Sequence, residues 1–140
     1  MEPEKQQAEL IVDPTSAIKA AMREAIRNSS LSRPQIAERM TELCKAAGIY
    51  SRDNELKVSV ARIDAWVAES KVSNHIPLKM LHLFCRAAES NLPLEIYVQA
   101  FEGVRLITVE QYQKLLWAEK EIQIRRIKKE AKKLAQMAGI

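Results

Sequence analysis

Leu31-Ser32-Arg33-Pro34-Gln35-Ile36-Ala37-Glu38-Arg39-Met40 reads as the opening of a helix. Ser32 can accept a backbone N–H as N-cap, and Pro34 falls in the first turn, where no N–H is needed. Ile36, Ala37, Met40, Leu43, Cys44 and Ala47 recur at three- and four-residue spacing, the buried stripe of an amphipathic helix. Gly48 suits its C-terminal cap. Two further apolar blocks follow. In Val58-Ser59-Val60-Ala61-Arg62-Ile63-Asp64-Ala65-Trp66-Val67, Ser59 can cap a short helix whose Val60, Ile63 and Val67 face inward, with Trp66 at the border. Arg62, Asp64, Ala65 and Glu69 point elsewhere. Ile76-Pro77-Leu78-Lys79-Met80-Leu81-His82-Leu83-Phe84-Cys85 opens on proline and is expected to bury Leu78, Leu81, Leu83, Phe84, Cys85 and Ala88.

Outward from these blocks the pattern stays helical. Residues 1–13 carry Glu2, Glu4, Glu9 and Asp13 against Lys5, the composition of a mobile acidic arm, with Leu10-Ile11-Val12 as a tether. A first helix begins near Asp13-Pro14. Ala17, Ile18, Ala21, Met22, Ala25 and Ile26 form its inner face, and Lys19, Arg23 and Arg27 decorate the rest. Asn28-Ser29-Ser30 ends it. Ile49 to Lys57 is a polar connection, and Ser70 to His75 a loop. Asn91-Leu92-Pro93 breaks the chain before a short fifth helix from Leu94 to Phe101, closed by Glu102-Gly103. Thr108-Val109-Glu110-Gln111 is a capping box. No Gly or Pro follows until Gly139, so a helix of about thirty residues is expected. Its apolar residues, from Tyr112 and Trp117 to Leu134 and Met137, need a partner: this domain or a second subunit.

The chain has 140 residues, 47% of them apolar, with three glycines and five prolines. That composition predicts an all-α protein with a packed core. No apolar run reaches the roughly 20 residues of a membrane span, and the N-terminus lacks the order of a signal peptide, so a cytoplasmic location is expected. Cys44 and Cys85 are read as buried free thiols. His75 and His82 lack acidic neighbours at ligand or general-base spacing. No glycine-rich phosphate loop, nucleophile elbow or HExxH occurs, and the reading is of a protein without cofactor, metal or enzymatic activity.

The net charge is +4, and its placement is uneven. From Ala118 to Ile140 stand seven basic residues (Lys120, Arg125, Arg126, Lys128, Lys129, Lys132, Lys133) against Glu119, Glu121 and Glu130. The other 117 residues hold fifteen of each sign. The basicity belongs to the C-terminal helix. It suits contact with DNA phosphate or the solvated face of a dimerisation helix. A membrane or acidic-protein contact is disfavoured, because no Trp/Phe-rich face accompanies the charges.

The middle of the chain reads as a helix-turn-helix, a motif in which one helix crosses a DNA backbone and the next enters the major groove. Reading side chains would be Ser59, Ala61, Arg62 and Ala65, with Lys57 just before them. Arg62 alone among these can make a bidentate contact to guanine. Arg33 and Gln35, with the backbone N–H groups at their helix N-terminus, suit phosphate. Ser32-Arg33-Pro34-Gln35-Ile36-Ala37 resembles the second-helix opening of lambda-repressor-like helix-turn-helix domains, and Arg62-Ile63-Asp64-Ala65-Trp66 resembles their third helix. The run from Ile76 through Leu94 is similar to the next helix in phage-encoded regulators of that kind. The resemblance spans roughly residues 15–100. It implies sequence-specific binding to double-stranded DNA, usually as a homodimer, in control of phage or prophage transcription.

Two features depart from that pattern. The connection before the reading helix is about ten residues longer than the tight turn of the motif. The reading unit is also nearly neutral: Arg52, Lys57, Arg62 and Lys71 oppose Asp53, Glu55, Asp64 and Glu69. Phosphate neutralisation would then fall to Lys19, Arg23, Arg27, Arg33 and Arg39, or to the C-terminal helix. The expected organisation is an arm at 1–13, a helix-turn-helix domain at 14–105 and a basic helix at 106–140. The alternative to a DNA-reading regulator is a helical adaptor that binds polymerase or another regulatory protein and keeps the fold without reading DNA.

Overall fold

The computed structural model describes residues 11–71 and 73–139. The protein is all-α. Among the described residues six helices occur in order: α1 Thr15–Asn28, α2 Arg33–Ala47, α3 Val60–Val67, α4 Leu78–Ala88, α5 Leu92–Gln99 and α6 Val109–Met137. The chain divides into two compact units, through Leu106 and from Ile107 onward. Most of the proposed acidic arm lies outside the described residues; Asp13, Ile11 and Val12 at its end are exposed.

In the first unit α1 packs on α5, α2 on α4, α4 on α5, and α3 against both α1 and α2. The core joins Met22 from α1, Ile36 and Met40 from α2, Ile63 from α3, and Met80 and Phe84 from α4, all fully buried. Each such apolar side chain contributes roughly 1.5–3 kcal/mol by leaving water. Three methionines at the centre fill space between the helices, a task their unbranched chains suit.

The helix starts follow the sequence signals. Ser32 Oγ accepts from Gln35 N–H at 3.3 Å, and Gln35 Oε1 accepts from Ser32 N–H at 2.8 Å, a complete capping box. Thr108 and Gln111 repeat it at the start of α6. Gly48 takes a left-handed conformation at the end of α2. At α1, Asp13 Oδ1 accepts from the backbone N–H and hydroxyl of Thr15 at 2.9 and 2.6 Å. These bonds favour the carboxylate and hold the Asp13 pKa below its ordinary value.

Five expectations need correction. Lys19, expected on the outer face of α1, is buried. It lies three residues before Met22, so the helix carries it inward. Ala17 is exposed instead, since it sits about 140° around the helix from Met22. Leu78, expected to bury, is 74% exposed; it stands about 120° around α4 from Phe84. Met80 takes a core place. Asn91-Leu92-Pro93 does not break the chain. Leu92 and Pro93 form the first turn of α5, where proline sacrifices no helical bond. Ala47, the last residue of α2, is exposed.

Candidate nucleic-acid interface

The connection from α2 to α3 is longer than a tight turn, yet it is ordered. Ser51 is buried. Its hydroxyl reaches the Lys57 carbonyl at 2.6 Å and the Glu55 carbonyl at 3.0 Å. Backbone bonds between Ser51 or Arg52 and Glu55 close a small turn, with Asp53 and Asn54 exposed at its tip. The returning strand is held by Thr41 of α2, whose Oγ1 accepts from Val58 N–H at 2.9 Å and donates to the Ala37 carbonyl at 2.9 Å. Two hydroxyls thus fix where α3 begins.

Ser59 then caps α3, its Oγ accepting from Arg62 N–H at 3.2 Å. The far end of α3 has no glycine cap. Its last carbonyls are instead taken by cations from α1. Lys19 Nζ donates to the Trp66 carbonyl at 2.8 Å, to the Ala65 carbonyl at 3.4 Å and to the Asn74 carbonyl. Arg23 Nη1 donates to the Val67 carbonyl at 2.6 Å. Positive charge at a helix C-terminus is favourable, and the orphan carbonyls need donors. Burial pulls the Lys19 pKa down, and Arg23 adds to this.

With both ends pinned, α3 buries Ile63, Trp66 and Val67 and leaves Ala61 and Asp64 exposed, with Ala65 half-buried beside them. Arg33, at the first turn of α2, is paired with Asp64. That contact joins the start of α2 to the outer face of α3 on one surface, near Gln35. Lys57 is exposed and Ser59 half-buried at the start of α3. A shallow groove of about 470 Å³ runs between Pro34, Glu38, Thr41 and Lys45 on α2 and Lys57, Ser59 and Val60.

Arg62 is placed differently from its neighbours. Its guanidinium lies over the Trp66 ring, 5.1 Å from the centroid. Its Nη1 is buried without a hydrogen-bond partner, and burial, with Arg52 nearby, draws its pKa down. Trp66 is therefore both a core residue, as its position predicted, and a platform for a cation.

The five cations expected to neutralise phosphate all have partners in the protein. Lys19 and Arg23 hold α3. Arg27 pairs with Glu24 at 2.7 Å, Arg33 with Asp64, and Arg39 with Glu89 at 2.7 Å. Arg125, Arg126, Lys128, Lys129, Lys132 and Lys133 of α6 are all exposed; among the described residues, Arg125 alone of these is paired, with Glu121 at 3.8 Å.

Sequence reasoning missed the roles of Lys19, Arg23 and Thr41. The i,i+3 spacing of Lys19 to Met22 was the available signal for the first. The thiols Cys44 and Cys85 are free and buried, and burial raises both pKa values. Among the described residues, no three of His, Cys, Asp and Glu are grouped to hold a metal ion, and no helix is long and apolar enough to cross a membrane. Compared with protein-family models, curated proteins and solved structures, the chain finds no match in any of the three.

Proposed function

We propose that this chain is a sequence-specific DNA-binding regulator of phage or prophage type, acting as a homodimer, with α3 as the helix that enters the major groove. The observation that carries the reading is the Arg33–Asp64 contact. It brings the start of α2, which would meet phosphate, beside the exposed face of a short helix, and this supports a helix-turn-helix reading. Small Ala61 and Ala65 let that face approach base edges, where the thymine methyl is an apolar contact. Arg62 swings from Trp66 toward guanine on docking, and its buried Nη1 gains the partner it lacks in the free protein. Arg33, Gln35 and Lys57 then flank the groove, and the cations of α6 add backbone affinity.

A gel-shift titration over several salt concentrations tests this. The expected result is a sequence-specific complex that Arg62→Ala abolishes, with affinity falling steeply as salt rises. Absence of duplex binding at low salt overturns it.

A second reading, a helical adaptor that binds another regulatory protein, draws support from the internal pairing of Lys19, Arg23, Arg27, Arg33 and Arg39. Light scattering with and without DNA separates the two: an adaptor keeps its mass when duplex is added.

A further inference from the structure

The 29-residue α6 buries none of its side chains, and its largest apolar groups are between 38% and 80% exposed. Four of them, Trp117, Ile124, Ile127 and Leu134, fall on one stripe. Gln113, Trp117, Lys120, Ile124, Ile127, Ala131, Leu134 and the C-cap residue Ala138 follow one another at alternating spacings of four and three. That is the seam of a coiled coil. Three features of the seam decide its partner.

The first is charge. From Val109 to Ile122 the helix carries Glu110, Glu119 and Glu121 against Lys114 and Lys120. From Gln123 to Met137 it carries Arg125, Arg126, Lys128, Lys129, Lys132 and Lys133 against Glu130. A second copy lying parallel would set basic half on basic half. A second copy lying antiparallel sets each basic half on the slightly acidic half of the other.

The second is size. A parallel pair faces Lys120 with Lys120, and Ala131 with Ala131, across the seam. An antiparallel pair centred between Arg125 and Arg126 faces Ile124 with Ile127 and Trp117 with Leu134. It also faces Lys120 with Ala131 and Gln113 with Ala138. Each long polar side chain then meets an alanine that leaves room for its stem.

The third is the flanks. In the same antiparallel register Glu121 meets Lys128 of the second copy, twice by symmetry. Leu116 meets Met137 there, so these two apolar groups outside the seam are also covered. In the parallel register Glu121 meets Leu116 and Lys128 meets Gln123, and no ion pair forms.

We infer that α6 is the homodimerisation element, and that it pairs with a second copy of itself as an antiparallel coiled coil centred between Arg125 and Arg126. This deepens the dimer in the proposed function, though it stands without any DNA being read. Its failure leaves the gel shift untouched, and failure of the gel shift leaves the dimer intact.

The test uses the whole 140-residue chain. Sedimentation equilibrium is expected to give the mass of two chains, and Ile124→Ser with Ile127→Ser the mass of one. Because α6 contributes nothing to the buried core, circular dichroism of the first unit's thermal transition should persist in that variant. Glu121→Lys is expected to weaken dimerisation about tenfold by setting lysine against lysine at two places, and Glu121→Lys with Lys128→Glu to restore it. A spin label on Met137→Cys, with Cys44 and Cys85 shielded by burial, should report a separation of about 35 Å, from 23 residues at 1.5 Å each. A monomer, a larger oligomer, labels within about 15 Å, or no rescue by the double charge reversal overturns the inference.

Discussion

Lys19 Nζ lies 2.8 Å from the carbonyl oxygen of Trp66, a bond from the middle of α1 to the last turn of α3. It is a buried amine on a buried helix end. It holds the position of the exposed face of α3 without being part of that face.

Replacing that amine should therefore cost stability before it costs anything else. Lys19→Met leaves the Ala65, Trp66 and Asn74 carbonyls without their donor, and an unsatisfied buried acceptor costs about 1–3 kcal/mol. A loss of about 2–3 kcal/mol in urea unfolding is expected, with α3 fraying first by amide exchange. The pH dependence has a definite sign. Because the folded-state pKa of Lys19 is lowered, the unfolded chain holds this proton more tightly. The native protein should gain stability relative to the Met variant as pH rises from the lowered value toward the ordinary lysine value, and lose that gain below it.

Thr41→Val is nearly isosteric and removes one oxygen. It leaves the N–H of buried Val58 without an acceptor and should cost about 1–3 kcal/mol. Thr41→Ser keeps the oxygen and should recover most of it. Equal losses for both substitutions would show that the methyl, not the hydroxyl, secures the return to α3.

Asp64→Asn should change binding more than folding. The Arg33–Asp64 pair is half exposed on both sides, so its removal should move stability by less than about 1 kcal/mol. The freed Arg33 can then meet phosphate. Duplex affinity at low salt is expected to rise several-fold, with the slope of log affinity against log salt steeper by about one. A weaker complex would show that Asp64 itself contacts DNA.

The thiols should be silent in the native state. Cys44 and Cys85 are buried and their pKa values are pushed up by burial, so little thiolate is present at neutral pH. An aromatic disulfide reagent should titrate none in the folded protein and two after denaturation. One thiol reacting quickly in the native state would mean that its helix opens.

The local signals in the sequence were readable because they are closed within a few residues. Ser32 with Gln35, Thr108 with Gln111, and Gly48 after Ala47 announce helix ends whatever the chain does elsewhere. The stripes of α2 and α4 were readable to within the rim, where Leu78 shows how 120° of rotation separates core from solvent. What could not be read depends on distant groups. Lys19 is charged, and charge predicts exposure unless carbonyls wait across a 46-residue gap. Arg62 was placed outward by its position on α3. Its fold-back onto Trp66 is set by ring stacking four residues on, which periodicity does not encode. The connection before α3 was read as a polar loop, and its order comes from the Ser51 and Thr41 hydroxyls and from backbone bonds that only the path of the chain brings together.

That connection has a practical side. The hydrogen bonds that close its turn lie below the Asp53–Asn54 tip, on Ser51, Arg52, Glu55 and Lys57. The two tip residues can thus be replaced by a short tag or fluorophore carrier without loosening the stem that aims the neighbouring helix. A reporter there would sit within a few residues of α3 and would sense a duplex docking on that helix, should the proposed reading hold.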